Sequence, residues 1–243
     1  MARNVFLLIT GLLLGACTAQ QPAPEPTGTP QASPTAAATA APTHTARAKI
    51  IFAHYYPWYS APPRTSTYRH WDGGENGCGA TFCPPEDIKS ASYPEQGANH
   101  SQNPTVLDWH MRWLKVANVD VLVISWWGQG SGEDQAVSGV LAAAQEHGLK
   151  VAFTIEPYSG VRGKARSVNQ VVDDIRYINL QYGSHPAFFR IARPTQYGDT
   201  ANPRNVIFVF RARLEEQRGE NWAPALDAIR DKSYDSLVLL DTW

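Results

Sequence analysis

The stretch KVAFTIEPY, residues 150–158, reads as a buried strand that stops on an acid, a proline and a tyrosine. Side chains of an extended chain alternate, so Val151, Phe153 and Ile155 share one face while Ala152, Thr154 and Glu156 share the other. An acid that closes an apolar strand either meets a ligand or sits idle in a loop, and this strand alone leaves both readings open. In an α/β barrel the C-terminal strand ends form the active-site face, which makes Glu156 and Tyr158 candidates for it.

The pattern recurs on both sides. KIIFAHYYPWY (49–59) and VDVLVISWW (119–127) are apolar runs that finish in rings; VIFVF (206–210) leads to Arg211, and LVLL (237–240) to Asp241 and Trp243. Five strands thus deliver Tyr, Trp, Glu, Arg and Asp to what would be one rim. Helices are expected between them. Asn103 caps one, with Pro104 in its first turn and Leu107, Met111 and Leu114 at helical spacing. A second runs over about 134–147 and stops at Gly148. Ser167 caps a third, whose stripe of Val168, Val171, Val172, Ile175 and Ile178 reaches Gly183. A fourth covers about 222–230. Strand and helix in alternation imply a parallel sheet with right-handed crossovers. A (β/α)8 TIM barrel needs eight strands, so the expectation is an α/β fragment holding the first five β/α units.

Composition narrows the function classes. The 243 residues carry a net charge of -1, which gives no electrostatic case for nucleic acid or an anionic membrane surface. At the amino terminus Arg3 precedes the apolar run 5–14 and the small residues Gly15 and Ala16, the layout of an export signal over residues 1–16. Leu14-Gly15-Ala16-Cys17 resembles the lipobox of bacterial lipoproteins, which implies lipidation of Cys17 and a membrane anchor in the cell envelope; an ordinary signal peptide is the alternative. Residues 17–47 are rich in Pro, Thr and Ala without apolar periodicity and read as a flexible tether, with the barrel domain expected over 48–243. Cys78 and Cys83 lie in the Gly-rich run GCGATFCPP, where an oxidising compartment favours a disulfide. A zinc site is the sharper alternative, but no second Cys or His pair stands at ligand spacing, and no metal is expected. The long Pro- and Gly-rich segment 60–102 has the character of a binding loop or lid.

Four blocks in order, HYYPWY (54–59), ASYPEQGANHSQNPTVLDWHMRWLKVANVDVLVISWW (91–127), FTIEPYSG (153–160) and YGSHPAFFR (182–190), resemble glycoside hydrolase family 99, the endo-α-mannosidases and endo-α-1,2-mannanases. The resemblance implies a (β/α)8 barrel that cleaves internal α-mannosidic bonds with retention, by way of a 1,2-anhydro sugar, and without metal or organic cofactor. It also implies a pair of catalytic carboxylates in an E-W-x-E motif on the last strand. That motif has no counterpart in these 243 residues, so the acids are expected beyond Trp243 and the fragment alone is expected to be inactive. Glu215 and Glu216, in the charged run LEEQRGE, do not fit it. What the resemblance carries over is part of the sugar-binding rim: Glu156 matches the glutamate of I-E-P-Y, Tyr55, Tyr56 and Trp58 the aromatic block of strand one, and Trp126 the tryptophan closing strand two. Flat rings suit a pyranose, whose CH face is apolar. Alternation from Thr154 and Glu156 favours Tyr55 over Tyr56 and Trp127 over Trp126 as the inward ring. Phe189 stands where relatives commonly have tyrosine. His110, His147 and His185 read as structural, whereas His54 and His70 lie nearer the rim. The expected partner is an α-mannoside-like oligosaccharide or polysaccharide. A noncatalytic glycan-binding surface lipoprotein on a degenerate barrel is the competing reading.

Overall fold

The computed structural model describes residues 49–71, 84–85, 88–158, 165–192, 203–212 and 221–241. The expected leader and tether, Cys17, Cys78, Cys83, Glu215, Glu216 and Trp243 lie outside the described residues.

Strands and helices alternate as β1 Phe52–Tyr55, α1 Pro104–Val116, β2 Val121–Trp126, α2 Gly132–Glu146, β3 Lys150–Ile155, α3 Val168–Tyr182, β4 Arg190–Ile191, β5 Arg204–Val209, α4 Trp222–Ala228 and β6 Ser236–Leu240. β1, β2, β3, β5 and β6 pair in that order and are all parallel, the arrangement of a partial (β/α)8 barrel. β4 departs from the uniformly parallel sheet that alternation suggested: its two residues run antiparallel to Arg204 and Asn205 of β5. Two residues are too few to carry a periodic signal. Among the described residues no helix is long and apolar enough to cross a membrane.

Local chemistry sets the element ends. The Asn103 side chain accepts a hydrogen bond from the Thr105 amide at 3.0 Å, and Pro104, with no N–H to satisfy, opens α1. α2 begins two residues before the expected Asp134 because Ser131 is its cap, accepting from the Asp134 amide at 3.1 Å. Ser167 and Gln170 form a reciprocal capping box at the start of α3. β1 stops short of the C-terminal end of its apolar run, where Pro57 cannot donate to a ladder.

The sheet divides the apolar residues in two. Leu122, Ile124, Trp126, Val151, Phe153 and Ile155 pack against the helices in the main core. Val121, Val123 and Ala152 face the other way, with Phe189 and Phe208 against them. There Phe52 sets its ring edge-on to Phe189 at 5.6 Å and to Phe208 at 5.8 Å, so the position that lacks a tyrosine hydroxyl is an apolar contact on the inner face.

One buried acid ties the helix layer to the sheet. Asp134, in the first turn of α2, accepts from Trp126 Nε1 at 2.9 Å, the Gly130 amide at 2.8 Å and the Tyr177 and Tyr182 hydroxyls, each at 2.8 Å. A carboxylate near a helix N-terminus is also favoured by the helix dipole. Replacing it with alanine would leave the Trp126 indole N–H and the Tyr177 hydroxyl without this acceptor, and the Tyr182 hydroxyl with only the residue-134 carbonyl at 3.3 Å. Asp134→Ala is therefore expected to cost at least about 3 kcal/mol, read as a drop in the urea unfolding midpoint.

Candidate functional site

Strand register decides which rings reach the site. Tyr55 lies opposite Ile124, and Trp126 opposite Ile155, so both fall on the face that packs against helices. Ser125 lies opposite Thr154, and Thr154 opposite Phe208, on the other face. Beyond the C-terminal ends of the parallel strands this inner face opens into a cavity of about 330 Å³. Residues from five strands or their ends line it: His54 in β1 with Tyr56 and Trp58 after it, Trp127 after β2, Thr154, Glu156 and Tyr158 at β3, Arg211 after β5 and Asp241 after β6.

The expected residues are therefore brought together in part. Tyr56, Trp127, Glu156 and Tyr158 meet at the cavity. Tyr55 does not: its hydroxyl bonds to His110 Nδ1 at 3.0 Å on α1, and burial pushes its pKa well above the usual tyrosine value. Trp126 does not either, being fully buried with its N–H on Asp134. The alternation argument selected Trp127 correctly and Tyr55 wrongly. Alternation orders residues within a strand, whereas the offset between strands comes from register, which pairs Tyr55 with the outward Ile124.

Glu156 is the buried acid of the site. Its Oε1 accepts from the Ser125 hydroxyl at 2.6 Å, and that hydroxyl accepts in turn from Trp127 Nε1 at 3.1 Å. The relay fixes both the carboxylate and the plane of the indole. Burial raises the Glu156 pKa, and the Ser125 hydrogen bond, His54 and Arg166 draw it back only in part.

The backbone of the rim is held from behind by Arg166, which is 3% exposed. Its guanidinium donates to the carbonyls of Glu156 at 2.5 Å, Trp127 at 2.6 Å and Tyr158, while Nε donates to Asp174 of α3 at 2.7 Å. On the open side Arg211 donates to the Tyr158 hydroxyl at 3.3 Å. Rings line one wall: Tyr56 lies 4.8 Å from Trp58, and His70 stacks on Trp58 at 4.5 Å and 17°. His54 lines the cavity, whereas His147 pairs with Asp108 at 2.8 Å and His185 caps the Ala187 amide at 3.2 Å.

Sequence reasoning missed Arg166, Ser125 and Asp134. Ser125 was findable, as the one hydroxyl in an apolar strand and two residues before a ring. Arg166 carries no periodic signal; its role exists only because two strand ends and a helix converge on it. Among the described residues no group of three or more His, Cys, Asp or Glu is placed to hold a metal ion.

The sequence and the fold both match known proteins. The model of glycosyl hydrolase family 99 matches residues 47–237. The chain is 37% identical over 210 residues to a Mus musculus glycoprotein endo-alpha-1,2-mannosidase-like protein, covering 78% of this chain and 44% of that one. It is 30% identical over 210 residues to a Rattus norvegicus glycoprotein endo-alpha-1,2-mannosidase, covering 78% of this chain and 43% of that protein. The chain thus spans under half the length of these curated relatives. A solved structure of an endo-alpha-mannosidase from Bacteroides thetaiotaomicron superposes with a TM-score of 0.61 at 32% identity, over 78% of this chain and 54% of that one.

The raised pKa of Glu156 sets a pH dependence. A carboxyl whose folded pKa lies above its unfolded value binds its proton more tightly in the native state, so its contribution is full below about pH 4 and is lost as pH rises through the folded pKa. Glu156→Gln keeps the acceptor for Ser125 and cannot ionise. The melting temperature of Glu156→Gln relative to the native chain should rise across that window and level off above it. A difference that stays constant from pH 4 to 8 would contradict the buried-acid assignment.

Proposed function

Since the chain belongs to glycosyl hydrolase family 99, we propose that its cavity binds α-mannoside chains and forms part of the substrate cleft of a glycosidase that cleaves internal α-mannosidic bonds with retention. The observation that carries this reading is the pairing, at one cavity, of the indole of Trp127 with the buried carboxyl of Glu156 through Ser125. An indole offers a flat apolar surface to the CH face of a sugar, and a carboxylate accepts from hydroxyls at its edge. The names of the mouse, rat and bacterial relatives support the substrate class.

The family's E-W-x-E pair has no counterpart within these 243 residues, which favours binding without cleavage by this stretch of chain alone. Export and a lipid anchor at Cys17 belong to the same proposal, resting on the apolar run 5–14 and the LGAC sequence that follows it.

Titration of the chain with α-1,2-linked mannotriose, followed by calorimetry, tests the binding. Trp127→Ala and Glu156→Gln are each expected to weaken it at least about tenfold, the loss of roughly 1.4 kcal/mol. Affinity unchanged in both variants would overturn the assignment. For the anchor, expression in a bacterial host should place the native chain in the membrane fraction and Cys17→Ser in the soluble fraction; equal partitioning would rule lipidation out.

A further inference from the structure

The inner face carries two hydroxyls side by side on paired strands, Ser125 and Thr154, and they differ in one respect. The Ser125 hydroxyl is committed, donating to Glu156 and accepting from Trp127. The Thr154 hydroxyl, buried on a residue only 4% exposed, neither donates nor accepts a hydrogen bond. Yet Thr154 lines the cavity, two residues before Glu156 and on the same face.

An unpartnered buried hydroxyl is disfavoured, and most such groups in folded proteins are satisfied. The strand does not need it. A β-branched residue suits the position, but valine has the same shape and no polar atom to desolvate. Nor does the fold offer it a local partner. β3 is paired on both sides at this point, with Ser125 of β2 and Phe208 of β5, so the neighbouring backbone groups serve the ladders. Below it on the inner face stand Ala152 and Val123, which have no polar side-chain atom. The open direction is the cavity. Rotation about χ1 exchanges the hydroxyl and methyl positions on its floor, so the hydroxyl finds a partner when a ligand places a donor or acceptor there.

We infer that Thr154 is a ligand-binding residue of the cleft, whose hydroxyl is satisfied by a ring hydroxyl of the bound sugar seated beside Glu156. This rests on the reading of the cavity as an α-mannoside site. It gives the floor a specificity role: Glu156, tied on one oxygen to Ser125, and the free hydroxyl of Thr154 together select a sugar that presents polar groups downward while its CH face meets the rings.

The test uses the full chain, α-1,2-linked mannotriose as the probe, and the pair Thr154→Val and Thr154→Ser. Valine removes the hydroxyl at nearly constant shape; serine restores it. The expected result is binding about tenfold weaker for Thr154→Val and within twofold of native for Thr154→Ser, with the melting temperature of Thr154→Val equal to or above that of the native chain. A purely structural hydroxyl would give the opposite pattern. If Thr154→Val melts lower and binds as the native chain does, the hydroxyl has a structural partner and the inference is wrong. Native affinity in Thr154→Val with an unchanged melting temperature overturns it equally. Failure of the native chain itself to bind the trisaccharide sinks the α-mannoside reading, and Thr154's role falls with it. That outcome is distinguishable because it appears without any substitution.

Discussion

The rim of this half barrel depends on a single guanidinium. The strand ends are tied sideways only as far as the Trp126 and Ile155 carbonyls, which accept from the Glu156 amide at 3.0 Å and the Phe210 amide at 3.1 Å. Past them, Arg166 takes up the carbonyls of Trp127, Glu156 and Tyr158 and is itself anchored to α3 through Asp174. A planar group with five donors in fixed directions can hold several acceptors at once, which a lysine cannot. It is buried, and its charge is met by one carboxylate and by carbonyl dipoles, so it is costly to strand and hard to move. Trp127, Glu156 and Tyr158 inherit their positions from it, since it grips the backbone of all three.

The doublets Tyr55-Tyr56 and Trp126-Trp127 follow from the same geometry. In each, one ring turns to the helices and the other to the cavity, because adjacent residues on a strand face opposite ways. The outward members are spent on structure, Tyr55 on His110 and Trp126 on Asp134. The inward members sit where β1 and β2 end and the sheet no longer has a ladder to keep. Division of labour between neighbours explains how an aromatic-rich sequence builds both a dense core and an open site, with Asp134 fixing the outer indole.

Much of this could be read from the residues. Five parallel strands were visible as apolar runs ending on polar or aromatic groups, and four helices announced themselves by Asn103, Ser167 and the stripe from Val168 to Ile178. The convergence of Glu156, Tyr158, Arg211 and Asp241 on one rim followed from strand polarity alone. Three things were hidden. β4 is two residues long and antiparallel, below any periodic signal. Register between β1 and β2 is a tertiary property, so the inward tyrosine was misassigned. Apart from the Gly130 amide, the partners of the Arg166 and Asp134 side chains lie eight to 48 residues away, and no local pattern marks such groups.

The charge balance of the cavity bears on what it accepts. Two acids, Glu156 and Asp241, share the lining with the permanent cation of Arg211 and the ring of His54, so charge of both signs is present. Burial makes the charged form of Glu156 less favourable than usual, which reduces the electrostatic demand the cavity places on a ligand. A strongly anionic or cationic ligand would gain little from such a lining and would lose its hydration on entering. A neutral polyhydroxyl ring loses less, because each hydroxyl can trade water for Glu156 or Arg211 while its apolar face leaves water for the rings of Tyr56, Trp58 and Trp127. The physical constraint is thus the pairing of flat apolar walls with sparse, directional polar groups, and it is on this pairing that the proposed glycan-binding role rests.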